Sequence, residues 1–146
     1  MLLGAVATAH ADAPRPPVAK YVKAYAAGEG AKVFTLRYDA PEKQQALVQV
    51  TGIDHALDGR ILRASVQATA RDTRYTVELQ GRPFVLLIVA GDGGGELYLP
   101  GAPRAERVRY DEDLSEQGNA QHFLTAYQEQ AAAPLTGRRP GVACRP

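Results

Sequence analysis

Between Lys32 and Tyr110 apolar and polar side chains alternate with a period of two, and turn residues punctuate the pattern at close intervals. That is the rhythm of an antiparallel meander. Phe34, Leu36 and Tyr38 share a face before the turn Asp39-Ala40-Pro41, and in the second run Ala46, Val48 and Val50 alternate with Leu47 and Gln49. Leu62, Ala64, Val66 and Ala68 then oppose Arg63, Ser65 and Gln67, as Tyr75, Val77 and Leu79 oppose Thr76, Glu78 and Gln80. Each run therefore has one dry face and one wet face. Phe84 to Ala90 is apolar at every position, which predicts a central strand covered on both sides. Gly91 to Gly95 reverses the chain into Glu96-Leu97-Tyr98-Leu99, because glycine reaches the positive φ angles of tight hairpins. In the last run Val108 and Tyr110 face in, and Arg107 and Arg109 face out.

The period changes at both flanks. Val18, Tyr21, Val22 and Tyr25 are spaced i, i+3, i+4 and i+7, which predicts a short helix ending before Gly28. A second helix is predicted over 115–131, with Ala120, Phe123, Leu124, Tyr127 and Ala131 as its stripe. Asp111, Glu112, Asp113 and Glu116 lie where its dipole favours negative charge, and Ser115 stands where a cap is expected. The fold class is α+β: a strongly curved antiparallel sheet or partial barrel of about seven strands, with a short N-terminal helix and a C-terminal amphipathic helix packed on the sheet. An open sheet covered by two helices is the first expectation, and a closed small barrel with a helical plug at one end is the second.

Composition sets the scale of the core. The 146 residues include 32 of Leu, Ile, Val and Phe, enough for one small core once alanine, which buries little area, is discounted. Residues 1–13 are small and apolar and end in two overlapping Ala-x-Ala sites, Ala9-His10-Ala11 and Ala11-Asp12-Ala13. They read as a signal peptide, so the chain is expected in the periplasm or secreted. Residues 14–17 form a proline-rich linker, 18–131 the single domain and 132–146 a flexible basic tail. Residues 14–23 and 138–146 carry six basic and no acidic side chains, which leaves 24–137 mildly acidic, without the concentrated basic face that nucleic acid requires. No apolar run is long enough for a spanning helix, so no membrane insertion is expected after signal cleavage. Cys144, the sole cysteine, permits no intrachain disulfide.

Candidate chemistry is sparse. Asp54, His55 and Asp58 sit in one loop and could offer two or three metal ligands, but a turn ending in Asp58-Gly59 explains them more simply, and no metal or other cofactor is expected. Gly91 to Glu96 lacks the strand-to-helix setting and terminal Lys-Ser/Thr of a phosphate loop, and Asp92 with Glu96 supplies too few oxygens for calcium. Ser65 and Ser115 lie in no nucleophile motif. His122 falls at the margin of the helix stripe. A small exported domain of this kind is expected to be a non-catalytic binding protein, most simply a protein-binding inhibitor or immunity-type module. Its contacts would come from the loops bearing Asp54, His55, Asp58, Asp92 and Glu96. A small apolar ligand, held among Phe34, Tyr38, Tyr75, Phe84, Tyr98 and Tyr110, is the second expectation. An enzyme using His55 or His122 is the third.

Overall fold

The computed structural model describes residues 15–132. The expected signal peptide and basic tail, Cys144 included, lie outside the described residues. Eight antiparallel strands follow one another around a closed barrel: β1 (Lys23–Ala27), β2 (Lys32–Tyr38), β3 (Gln45–Thr51), β4 (Ile61–Ala68), β5 (Asp72–Leu79), β6 (Arg82–Ala90), β7 (Gly94–Leu97) and β8 (Glu106–Tyr110). Two helices complete the fold, α1 (Glu112–Gln117) and α2 (Ala120–Ala132). The chain is thus a β-rich α+β domain, with eight strands where the alternation predicted about seven.

The extra strand replaces the predicted N-terminal helix. β1 pairs with β2 on one side, from Lys23↔Thr35 to Ala26↔Lys32, and with β8 on the other, through Tyr25↔Tyr110, Ala26↔Arg109 and Ala27↔Val108. Without β1 both β2 and β8 would present an edge of unpaired N–H and C=O groups, and closure removes both edges at once. That tertiary gain overrides a helical spacing carried by only four residues. The supposed stripe points three ways: Val22 into the packing outside the barrel, Tyr25 into the barrel, and Tyr21, 69% exposed, to solvent.

Inward positions from all eight strands build the main core. Val33, Val48, Val50, Val66, Val77, Leu86, Leu87, Leu97 and Val108 fill the barrel, each almost wholly inaccessible. A register shift between Tyr75 and Thr76 leaves Leu86 as an extra residue on β6, so both Leu86 and Leu87 are buried there. This bulge accounts for part of the apolar run. In a closed barrel no strand is central, and Val85 and Ile88 lie half-buried opposite the outward residues Thr76 and Arg74.

A second core lies outside β2, β3 and β4, where Phe34, Leu36, Leu47 and Ile61 meet Ala120, Phe123, Leu124 and Tyr127 of α2. The helix therefore lies along the wall of the barrel and plugs neither end. Gln130 fastens it: its side-chain amide accepts from Ile61 N–H at 2.9 Å and donates to Ile61 C=O at 2.7 Å, as a neighbouring strand would. Arg15 spreads its guanidinium over Gln121, Thr125 and Gln128, so the proline-rich segment is a strap across α2. The single predicted helix is two, broken at Gly118, where the chain turns against Val22. Asp111 caps α1 by accepting from Leu114 N–H, and Asn119 caps α2 by accepting from His122 N–H. Ser115 is no cap: its buried hydroxyl donates to Asp111 C=O and accepts from Ala24 N–H at 2.8 Å, tying α1 to β1.

Candidate functional site

The two ends of the barrel are built differently. At one, residues 52–60 between β3 and β4 fold back over the interior and drop Leu57, 7% exposed, into the main core, with Ile53 and Leu99 packed beside it. His55 braces this loop. Its Nδ1 accepts from Leu57 N–H at 3.1 Å, which requires the neutral tautomer with the proton on Nε2, and Nε2 donates to Pro100 C=O at 3.1 Å in the β7–β8 loop. Asp58 accepts from Ile53 N–H, closing the turn from its other side. Gly52 has φ +76°, and a β-carbon there would collide with the carbonyl of Gly30, so the β1–β2 turn seats directly against this loop.

The opposite end is open. Its rim consists of the β2–β3, β4–β5 and β6–β7 connections, and beneath it polar and aromatic inward residues stand beside the apolar Ala46 and Val89. Lys23 and Tyr25 come from β1, Thr35 and Arg37 from β2, Thr73 and Tyr75 from β5, and Tyr110 from β8. A recess of about 480 Å³ lies among Lys23, Tyr25, Thr73, Tyr75 and Tyr110, and a smaller one of about 140 Å³ adjoins it at Thr35 and Arg37. The rings of Tyr25 and Tyr110 meet edge to face, 5.8 Å apart between centroids. Burial pushes the Tyr25 phenol well above its ordinary range, helped by the phenols of Tyr75 and Tyr110. Tyr75 is raised as well, again by burial, against the opposing pull of the Thr35 hydroxyl and the Arg37 cation. Both phenols are therefore protonated donors at neutral pH.

The carboxylates near this mouth are partly engaged. Asp72 lies 3.4 Å from Arg74 Nε and accepts from the Thr69 hydroxyl at 3.3 Å, and Asp111 is occupied as the α1 cap. Among the described residues no carboxylate lies within ion-pair distance of Lys23 or Arg37.

The residues expected from sequence to make contacts are not gathered in one place. Asp54, His55 and Asp58 lie in the loop that closes the far end, where His55 and Asp58 are used as braces. Asp92 and Glu96 lie near the open end but outside it, in a shallow groove of about 680 Å³ along β6, β7 and β8. Asp92 accepts from Gly94 N–H within its own hairpin, and Glu96 stands opposite Arg107 in the ladder. The groove is the larger hollow, but its carboxylates alternate with Arg107 and Arg109 on an outer wall, whereas the mouth concentrates donors on an inward one. Among the described residues no three His, Cys, Asp or Glu side chains converge as metal ligands would. His122 is exposed on α2.

The aromatic residues expected to line an apolar cavity are likewise dispersed. Phe34 and Tyr38 lie under α2, and Phe84 packs against the main core. Tyr98 is in the β7–β8 connection, and only Tyr75 and Tyr110 reach the mouth. Lys23, Thr35 and Arg37 escaped notice because a residue's inward direction is defined only once β1 closes the barrel. The alternation on β2 did carry a signal, since Arg37 keeps phase with Val33 and Thr35.

The architecture is that of an eight-stranded up-and-down barrel, a size at which the interior is either filled by side chains or holds one small ligand. No protein-family model, curated protein or solved structure matches this chain. No helix among the described residues is long and apolar enough to cross a membrane.

Proposed function

We propose that this chain is an exported, non-catalytic binding protein that takes a small ligand into the open mouth of its barrel. One observation carries the reading. The barrel is packed solid in its middle and stopped with Leu57 at one end, yet at the other end its inward positions are Lys23, Thr35, Arg37, Thr73 and Tyr75 around an unfilled recess. Lys23 and Arg37 reach solvent here while Thr35 and Tyr75 are buried beside them, so the recess presents accessible cations over a polar floor, the arrangement of a binding site. Amide chemical-shift mapping of the labelled protein against a library of small polar fragments tests this. Shifts are expected to concentrate on residues 23–25, 35–37 and 73–75; shifts concentrated on 52–60 or on α2 instead would overturn it.

A protein-binding inhibitor is the second reading, and the exposed rim favours it. Tyr21 is 69% and Tyr110 43% exposed at this same end, and tyrosine is a frequent anchor of protein interfaces. Here a partner would insert a side chain into the mouth. Affinity capture from the native envelope with the mature domain, repeated with Tyr21→Ser, is expected to lose a specific partner on substitution; a partner retained unchanged would remove this rim from the interface.

A further inference from the structure

The mouth holds more than a hollow. Lys23 is paired with Thr35 across β1 and β2, and Arg37 lies two residues further along β2, so the two cations are diagonal neighbours on one inward face. Side chains so placed start roughly 7–8 Å apart. Both are exposed, so their long side chains can converge on one oxyanion that accepts from each. Arg71 adds a third cation, Thr73 a hydroxyl, and Tyr25 and Tyr75 neutral phenols, against the one carboxylate of Asp72. The site is rich in donors and short of free acceptors.

Two features limit the body that carries the charge. Val33, Val48 and Leu87, all at 0% exposure, close the barrel below the mouth, so an extended acyl chain has nowhere to go. The Tyr25–Tyr110 pair forms an aromatic wall suited to a flat group. Resting on the assignment of the mouth as the ligand site, we infer that the ligand is a compact organic oxyanion, a carboxylate or phosphate ester on a flat body, gripped between Lys23 and Arg37.

Calorimetry and amide-shift mapping of the full chain at low ionic strength, with benzoate, phenyl phosphate, inorganic phosphate, benzyl alcohol and benzylamine as probes, test the inference. At least one of benzoate and phenyl phosphate is expected to bind about tenfold or more tightly than benzyl alcohol, with shifts at Lys23, Thr35 and Arg37, and to weaken as salt is raised. Which of the two binds more tightly identifies the head group. Lys23→Met and Arg37→Met are each expected to cost about tenfold in affinity with an unchanged thermal midpoint. Benzyl alcohol or benzylamine binding in the mouth as tightly as the anions overturns the charge assignment and leaves the ligand site standing. Inorganic phosphate matching phenyl phosphate overturns the flat body. If none of the probes shifts the mouth residues at millimolar concentration, both the oxyanion and the ligand site are overturned.

Discussion

Gly118 tests how closely the helical elbow is seated on the closing strand. Its backbone, at φ −71° and ψ 140°, suits any residue, so alanine there carries no dihedral strain. On backbone entropy alone Gly118→Ala should stabilise the fold by about 0.4–1 kcal/mol. Packing argues the other way. A β-carbon at 118 would stand 2.7 Å from Val22 Cβ and 3.0 and 3.1 Å from its two methyl carbons, against roughly 3.5–4.0 Å for carbons in ordinary contact. Val22 is 2% exposed and belongs to the core beneath α2, and turning its side chain cannot move its Cβ. Overpacking of this kind costs about 1–3 kcal/mol, so the substitution is expected to destabilise by about 1–2 kcal/mol net.

Urea unfolding followed by far-UV circular dichroism and by tyrosine emission, which no tryptophan obscures, measures it. The midpoint should fall with an unchanged slope. Val22→Ala removes the two methyl contacts and leaves room for the strand to shift, so the double variant should be less destabilised than the sum of the singles by about 1 kcal/mol. A neutral or stabilising Gly118→Ala, or additivity within about 0.5 kcal/mol, would refute the close approach of α1, α2 and β1.

Leu124→Ala, at a site with 0% exposure between α2 and the barrel wall, should cost about 2–5 kcal/mol, with circular dichroism and tyrosine emission still reporting one transition; separate transitions would mean that helix and barrel fold independently. His55→Ala strips the side-chain partners from Leu57 N–H and Pro100 C=O and should cost about 1–2 kcal/mol, seen together with faster amide exchange over 53–58; unchanged exchange there would show that the brace is dispensable. Because burial raises both Tyr25 and Tyr75, the folded chain keeps phenolic protons that the unfolded chain gives up near pH 10. Their contribution is complete below that pH and is lost progressively above it. Replacing both by phenylalanine should therefore flatten the alkaline loss of stability, and an alkaline midpoint equal to that of the parent would contradict this assignment.

The sequence pattern matched the structure over β3, β4 and β5 but not over β2, where Phe34, Leu36 and Tyr38 face outward under α2 and Val33 faces in. The alternation from Ala46 to Val50, Leu62 to Ala68 and Tyr75 to Leu79 separates inward from outward residues as found, because a pleat has no other way to bury one side of a strand. It did not reveal which strand pairs closed the sheet. That depended on Lys23–Ala27, a segment whose local spacing suits a helix and whose strand conformation exists only because β2 and β8 both need a partner. The candidate site was missed for the same reason. Lys23 and Tyr25 become neighbours of Arg37 and Tyr75 only across the closed barrel, and no local spacing encodes that distance. The loop residues that did stand out, His55, Asp58 and Asp92, were conspicuous because turns need side-chain acceptors, and turns are where the structure uses them.

Connection length decides which end of the barrel stays open. At the closed end the β3–β4 and β7–β8 connections span 52–60 and 98–105, long enough to fold inward, lower Leu57 into the core and meet through His55 and Pro100. At the open end the β4–β5 and β6–β7 connections are only 69–71 and 91–93, tight reversals that cannot reach across the mouth. The β2–β3 connection, 39–44, is spent on a one-turn helix at Pro41–Lys43 and on the Asp39–Lys43 ion pair at 3.0 Å. Nor can the helices supply a lid, because Gln130 and Arg15 hold α2 along the outer wall. With no lid from the described chain, the inward residues that reach solvent at that end are best polar, while Tyr25, Thr35 and Tyr75 beneath them stay buried. Lys23 and Arg37, both exposed, are the polar solution, and they leave the recess charged at its rim.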